Sequence, residues 1–519
     1  MKADVIITTD RTMMSNHHRK EFLGFVSTGP PIALPEKLWL WISSPKPKIM
    51  KDGEPLEAPY GLRKVEAALI REGIDARVID PDYLKKYEEE AKVLLIGHHD
   101  YFAYGPPSNE WWLITGKEPI NRISFIRLME SEPVRKMKKN GAKIIVGGPA
   151  AWQWLYEVEK WKKWGVDTVF EGESEKLIGS LVRKALNNEE LPSYLYAGIK
   201  DVPSIDEIPE IVRPSVNGLV EIMRGCPRGC RFCSVTLRPL RHIPLEKIER
   251  EILINVKYGV NIGLLHSEDV LLYGSDGVKP REDPLIQLHK MALKHVENIA
   301  WSHASLAAIR YSEEKYKLIT KLMEMIKEKQ DFLGVEVGLE TGGIELAKKI
   351  MPAKSAPYPV ERWHETVEEA FKIMHESSII PAVTLIIGLP EETENDLIQT
   401  LELLDKLKQY RSLIVPMMFV PMGALKDRDF YRREMMSELH MQILYKTYQH
   451  SIYWGKQILE KSYLRSPAYL PLRGLLEFFM WYVERKVNSI AKQLPSLRMR
   501  EKAAQSAQAP LQQSRNPNF

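Results

Sequence analysis

Cysteine is scarce in this chain, with three residues among 519. That odd, small set excludes a disulfide framework of the secreted kind. No run of about eighteen uncharged apolar residues occurs, so no membrane span is expected. An excess of charge of one sign is also missing. Lys and Arg number 73 against 69 Asp and Glu, a net charge of +4. That near-balance gives no footing for a protein held mainly by nucleic-acid phosphates, so no nucleic-acid partner is expected. The opening "MKADVIITTDRT" lacks a long apolar core, so no signal peptide is expected there.

What is present is concentrated. All three cysteines, Cys226, Cys230 and Cys233, fall within "EIMRGCPRGCRFCSVT". The spacing is C-x3-C-x2-C. Three thiolates can hold three irons of a four-iron cluster and leave the fourth iron open to a ligand. Structural zinc is the alternative, but it uses four Cys or His ligands in close pairs, and no second C-x2-C pair exists. A reducing compartment suits such thiolates, which points to the cytoplasm. Five arginines, Arg224, Arg228, Arg231, Arg238 and Arg241, surround the loop. They can offset cluster charge, receive an anionic group, or form ordinary salt bridges.

Apolar runs closed by glycine, such as "AKVLLIG", "AKIIVGG" and "VDTVFEG", alternate with amphipathic segments over 59–190. That rhythm predicts a parallel sheet covered on both faces. Glycines at the strand ends, Gly147, Gly148 and Gly172 among them, lie where doubly wound sheets bind ligands. A second alternation over 218–422 predicts a partial (β/α) barrel, with its active site at the C-terminal strand ends. The expected fold class is therefore α/β. Residues 1–200 form a doubly wound domain with a Pro-rich loop insertion at 15–58. A linker at 201–217, the barrel at 218–422, a helical region at 423–490 and a disordered tail at 491–519 follow. The segment 469–487 is the most apolar helix candidate, with Trp481 and Tyr482 suited to an interface. It reads either as a core helix closing the barrel or as a peripheral contact at the inner membrane face.

The cysteine run resembles the signature of the radical S-adenosylmethionine (radical SAM) superfamily. The resemblance implies a 4Fe-4S cluster on Cys226, Cys230 and Cys233, with S-adenosylmethionine on its open iron. It places "HSED", with Ser267, Glu268 and Asp269, near the methionine amine. Ser302 and His303 fall near the carboxylate and ribose, Glu340 near the ribose, and Ile387, Gly388 and Leu389 by the adenine. The N-terminal region resembles the cobalamin-binding domain that precedes many radical SAM domains. Its lower-ligand motif, D-x-H-x-x-G, is absent. Cobalamin at Gly147, Gly148 and Gly172, or a domain that keeps the fold without the ligand, both remain open.

Within that group the chain looks most similar to archaeal enzymes that form cyclopentane rings in tetraether membrane lipids. The resemblance implies a lipid substrate, an electron donor such as a ferredoxin, and C–C bond formation at unactivated carbons. A cobalamin-dependent methyltransferase, or another lipid-modifying radical SAM enzyme, is the alternative. A tRNA methylthiotransferase is expected to carry further N-terminal cysteines, which this chain lacks. No side chain is singled out as a catalytic hydrogen donor or acceptor.

Overall fold

The computed structural model describes residues 3–491 except 21 and 33. Six short apolar segments build the N-terminal sheet: β1 (Val5–Thr8), β2 (Ala76–Val78), β3 (Val93–Gly97), β4 (Lys143–Gly147), β5 (Thr168–Glu171) and β6 (Tyr194–Tyr196). All pair in parallel, in the order β2-β1-β3-β4-β5-β6. The chain reverses direction of winding between β1 and β3, which opens a crevice at their C-terminal ends. Both faces are covered. Leu62, Leu69, Leu181 and Val182 pack on one side, and Phe125, Met129, Val134 and Trp154 on the other. Burial of these side chains from water is the main force that closes the layers.

The Pro-rich stretch at 15–58 is not loop throughout. It contains helices at Phe22–Val26 and Glu36–Ser43. Pro35 precedes the second helix, where its fixed backbone starts a helix rather than breaking one. Trp39 and Ile42, three residues apart, bury one face of that helix.

The second domain begins at β7 (Leu219–Glu221). A small antiparallel pair, β8 (Met223–Arg224) with β9 (Arg241–His242), then brackets the cysteine loop. The parallel strands continue as β10 (Ile262–His266), β11 (Asn298–Trp301), β12 (His303–Ala304), β13 (Leu333–Glu340), β14 (Ile379–Ile387) and β15 (Leu413–Met418). Their orders, β11-β10-β7 and β12-β13-β14-β15, make two arcs of one partial barrel. The Glu336 amide, on β13, bonds to the Ser302 carbonyl between β11 and β12 and joins the arcs. Along β10, β13, β14 and β15 buried positions alternate with half-buried ones. The buried set faces the helices and the half-buried set lines the lumen.

Two helices, Glu438–Ile458 and Leu470–Ala491, follow the last strand. The second packs through Leu476, Val483 and Val487 and leaves Phe478 and Trp481 exposed. It is thus neither wholly core nor wholly surface. Among the described residues no helix is long and apolar enough to cross a membrane. The tail expected to be disordered lies, beyond Ala491, outside the described residues.

Polar contacts fasten the domains at two places. Lys64, on the helix Tyr60–Arg71, reaches Glu251 of the barrel at 2.5 Å. The same carboxylate accepts from the Tyr60 hydroxyl at 2.7 Å and the Ile211 amide at 3.0 Å. Glu173 and Glu175, just past β5, take Arg224 at 2.8 and 2.7 Å, and Arg241 also reaches Glu173 at 2.7 Å. On another side Phe430 packs against Tyr104, Trp152 and Tyr156. Removing one partner of a buried pair leaves the other charge uncompensated. Glu251→Ala is therefore expected to destabilise the protein by about 3–5 kcal/mol in urea unfolding. The double change Lys64→Met with Glu251→Leu is expected to recover most of that loss.

Candidate active site

The cysteine loop is held by its own backbone contacts. The Thr236 hydroxyl donates to the carbonyls of Cys233 at 2.9 Å and Cys230 at 3.2 Å. The Arg231 amide bonds to the Ile350 carbonyl at 2.8 Å, and the Ala424 amide to the Arg231 carbonyl at 2.8 Å. Gly423 sits at φ 58°, where an added Cβ would meet the Cys233 carbonyl oxygen at 2.7 Å. The loop after β15 therefore closes directly on the thiols.

Burial pushes all three thiols up, Cys233 to about 11. Each feels the charge of Lys354, and Cys230 also feels Cys226. Lys354 was not singled out in the sequence, where one lysine in "MPAKSAP" carries no signal. It is pinned by Glu340 at 2.9 Å. The β13–β14 register shifts between Gly338 and Glu340, and Glu340 adopts φ 62°. This bulge turns the carboxylate toward Lys354. Gly338 leaves the room, since a Cβ there would meet Glu340 Oε1 at 2.0 Å.

The arginines do other work. Arg224 and Arg241 are spent on Glu173, Glu175 and Glu221. Arg228 is buried on Asp269 at 3.3 Å and on the carbonyls of Ala353, Lys354 and Ala356. Arg238 lies 3.7 Å from Glu173. These four are salt-bridged; Arg228 still acts on Cys226 and Cys230, and Lys354 is the cation that acts on all three thiols.

Of the residues matched to S-adenosylmethionine, several converge beside the loop. Ser302 Oγ donates to the Ser267 carbonyl at 2.9 Å and accepts from its amide at 3.1 Å. Ser267 Oγ is buried without a partner. Glu268 acts electrostatically on both Cys233 and His303. His303 Nε2 lies 3.0 Å from Glu336, and its Nδ1 is unpartnered. Burial works against charge on His303, but the Glu336 hydrogen bond and carboxylate outweigh it and raise its pKa. Asp269 gives Oδ2 to Arg228 and to Ser305 at 2.5 Å, while Oδ1 has no partner. Others have a structural reason of their own. Ile387 and Leu389 are buried in the core. The Gly388 amide donates to Glu392 at 3.1 Å, and a Cβ at Gly388 would strike Tyr431 at 2.1 Å.

Two histidines outside that set face the same space. His266 ends β10, with its ring 6.1 Å from that of His303. Its Nδ1 is buried without a partner. Burial lowers its pKa to about 3, with smaller contributions from His303, His99 and Arg224. His99 follows β3 in the other domain. Its ring keeps accessible surface, yet protein surrounds it so fully that desolvation lowers its pKa to about 4. His99 thus stands at the face of the N-terminal domain that looks toward His266 of the barrel.

The glycines of the N-terminal crevice divide. Gly148 is exposed at φ 93°, and a Cβ would meet the His98 backbone at 3.0 Å. The Gly147 carbonyl accepts from the Tyr101 hydroxyl. Gly172 at φ 115° is required by the Ala197 carbonyl, 2.6 Å from a built Cβ. That contact accounts for Gly172 without a ligand. Thr9 Oγ1, just past β1, is buried and unpartnered.

Residues 220–404 match the radical SAM superfamily. This part of the chain is a radical SAM domain. The chain is 26% identical over 285 residues to ribosomal protein uS12 methylthiotransferase RimO of Chlamydia abortus, covering 53% of this chain and 58% of that one. It is 23% identical over 213 residues to a tRNA-2-methylthio-N(6)-dimethylallyladenosine synthase of Orientia tsutsugamushi, covering 40% and 44%. The chain thus spans about half the length of these curated relatives. Its fold is similar to the radical S-adenosylmethionine methyltransferase TsrM of Kitasatospora setae, solved with cobalamin and a 4Fe-4S cluster. The TM-score is 0.50 at 13% identity, over 80% of this chain and 75% of that one.

The residues present fit a 4Fe-4S cluster and S-adenosylmethionine. Among the described residues no three His, Cys, Asp or Glu gather to hold a single metal ion. The thiols are electrostatically coupled but spread, as one thiolate per iron requires. The unpartnered Ser267 Oγ, Asp269 Oδ1 and His303 Nδ1 await a polar ligand.

Two outcomes follow. Any single Cys→Ala change at 226, 230 or 233 is expected to hold iron and sulfide well below about four per chain after anaerobic reconstitution. Lys354→Met is expected to lower cluster retention several-fold, because the three thiolates lose the one cation that acts on all of them; iron content checks both. His266, like His289, is held neutral in the fold, with values of about 3 and 4 against 6.5 when unfolded. Between pH 6.5 and 4 the unfolded chain binds protons that these native rings do not, so stability falls as pH drops. Each ring contributes at most about 1.4 kcal/mol per pH unit. Thermal midpoints at pH 7 and 5 measure the slope, which His266→Gln is expected to flatten.

Proposed function

We propose that this protein is a corrinoid-assisted radical SAM methyltransferase acting on an unreactive carbon. One observation carries the reading: the switch-point crevice of the N-terminal sheet opens toward the radical SAM site. His99 from one domain and His266 from the other lie close enough to sense each other's charge. The TsrM neighbour has the same two-domain fold and bound cobalamin with a cluster, which supports this reading over lipid ring formation. Thr9, His99, Gly147 and Gly148 would hold the corrinoid. Methylthio transfer, the activity named for the curated relatives, is disfavoured because three cysteines leave none for a second cluster.

The chemistry supplied by a bound cluster and S-adenosylmethionine is one-electron cleavage of the sulfonium, giving a carbon radical that removes hydrogen from an unactivated carbon. The chemistry a bound corrinoid adds is methyl delivery to carbon. Around them, Glu268 takes the methionine amine, and Ser302 fixes the Ser267 turn that shapes the same pocket. His303, whose pKa the Glu336 carboxylate raises, would present its unpartnered Nδ1 to the carboxylate or ribose. Leu264, Ile386, Val415 and Met417 occupy half-buried lumen positions and exclude water from the reacting carbon. An electron donor of the ferredoxin class would reduce the cluster.

A second reading has its own observation. Helix Leu470–Ala491 turns Leu470, Phe478 and Trp481 outward, and Arg485 caps the Trp481 ring at 5.6 Å. That aromatic and basic stripe suits a lipid surface and favours ring closure in an isoprenoid tetraether lipid. Anaerobic incubation with S-adenosylmethionine, a low-potential reductant and tetraether lipid separates the two by mass spectrometry. A gain of about fourteen mass units with corrinoid-dependent turnover marks methylation, and a loss of about two marks ring closure. No 5′-deoxyadenosine or S-adenosylhomocysteine from a cluster-loaded protein would overturn both.

A further inference from the structure

The N-terminal crevice offers only a few groups that can reach a bound ligand, and most are occupied. Asp10, two residues past β1, accepts from the Thr12 hydroxyl at 2.8 Å and the Thr12 amide at 3.0 Å. Thr12 is the position at which the D-x-H-x-x-G pattern would place histidine, and its hydroxyl is buried and engaged. His98 has both ring nitrogens committed. Nε2 meets Asp10 at 2.8 Å, and Nδ1 accepts from the Asp100 amide at 2.7 Å. Its ring is buried against Tyr101 and Phe125.

His99 differs from its neighbour in each respect. Among the described residues neither of its ring nitrogens has a hydrogen-bond partner, and the residue is exposed on the side that faces His266 of the barrel. The backbone alternates here, so that burying His98 turns His99 outward. Thr9 Oγ1, a buried group without a partner, lies just past the end of β1 beside this crevice. An imidazole with a free lone pair is a good ligand for a first-row metal, cobalt included.

We propose that His99 supplies a protein nitrogen ligand to the cobalt of a corrinoid bound in the crevice, in place of the histidine missing at position 12. This rests on the corrinoid reading above. The ligand comes from the end of β3 instead of the loop after β1. His98, locked between Asp10 and Asp100, sets the backbone that aims it.

The test uses the full chain and cob(II)inamide, which carries no nucleotide base of its own. Gel filtration first measures whether corrinoid stays with the protein. Electron paramagnetic resonance of the complex then reads nitrogen coupling on the cobalt lines. The expected result is a triplet splitting that becomes a doublet when the protein is labelled with 15N-histidine. His99→Ala and His99→Gln are expected to abolish the splitting while retaining corrinoid at reduced affinity. The labelled wild-type protein keeps the test valid should a variant fold poorly. Bound corrinoid without nitrogen splitting would overturn the His99 assignment alone. Splitting that survives in both variants would overturn it in favour of another nitrogen. No retained corrinoid would overturn this assignment and the corrinoid reading together.

Discussion

Arg224 is the tie on which the rest depends. It stands two residues before the first cysteine and spends its guanidinium on three carboxylates. Glu221 belongs to the first barrel strand, and Glu173 and Glu175 to the turn after β5. The group is buried, so the charges are tightly bound and costly to separate. Geometrically, this clasp fixes the cysteine loop against the C-terminal edge of the N-terminal sheet. The cysteine loop of one domain and the switch-point crevice of the other are thereby made to look at each other. Lys64 with Glu251 on a neighbouring helix pair, and Phe430 among Tyr104, Trp152 and Tyr156, keep the same gap from opening elsewhere.

The meeting of the two domains is electrostatically sorted. At the thiols, one buried ammonium on Lys354 faces groups that become anionic, and Glu340 holds it there through a bulged strand end. His266 and His99 are kept neutral by desolvation, whereas Glu336 raises the pKa of His303. Neutral imidazoles retain a lone pair and a donor, and a protonated one donates only. The same residue type thus takes different roles, set by the presence or absence of a neighbouring carboxylate.

Much of this was legible in the chain. The glycine-closed apolar runs gave the parallel N-terminal sheet, because a strand buried on both faces has no polar alternation to obscure it. The cysteine spacing marked the cluster loop, because its ligands lie within one short segment. Other features were not legible. The segment 15–58 read as loop, yet Trp39 and Ile42 form a helix because Phe479, far along the chain, gives them a surface. Gly172 and Gly388 read as ligand positions, and the sequence carried no sign that Ala197 and Tyr431 also demand glycine there sterically. The arginines left three roles open in the sequence, and Glu173, Glu175, Glu221 and Asp269 settle salt bridging for four of them.

The sequence alone determined the two α/β layers, the three thiols and the order of motifs behind them, since each depends on neighbours within a few residues. Tertiary structure alone decided that Lys354 is the cation at the cluster and that Asp269 is paired with Arg228. It also decided that His99 faces the radical SAM site from the other domain. Those assignments depend on distance in space and on competition among charges far apart in the chain, and local spacing carries no record of either.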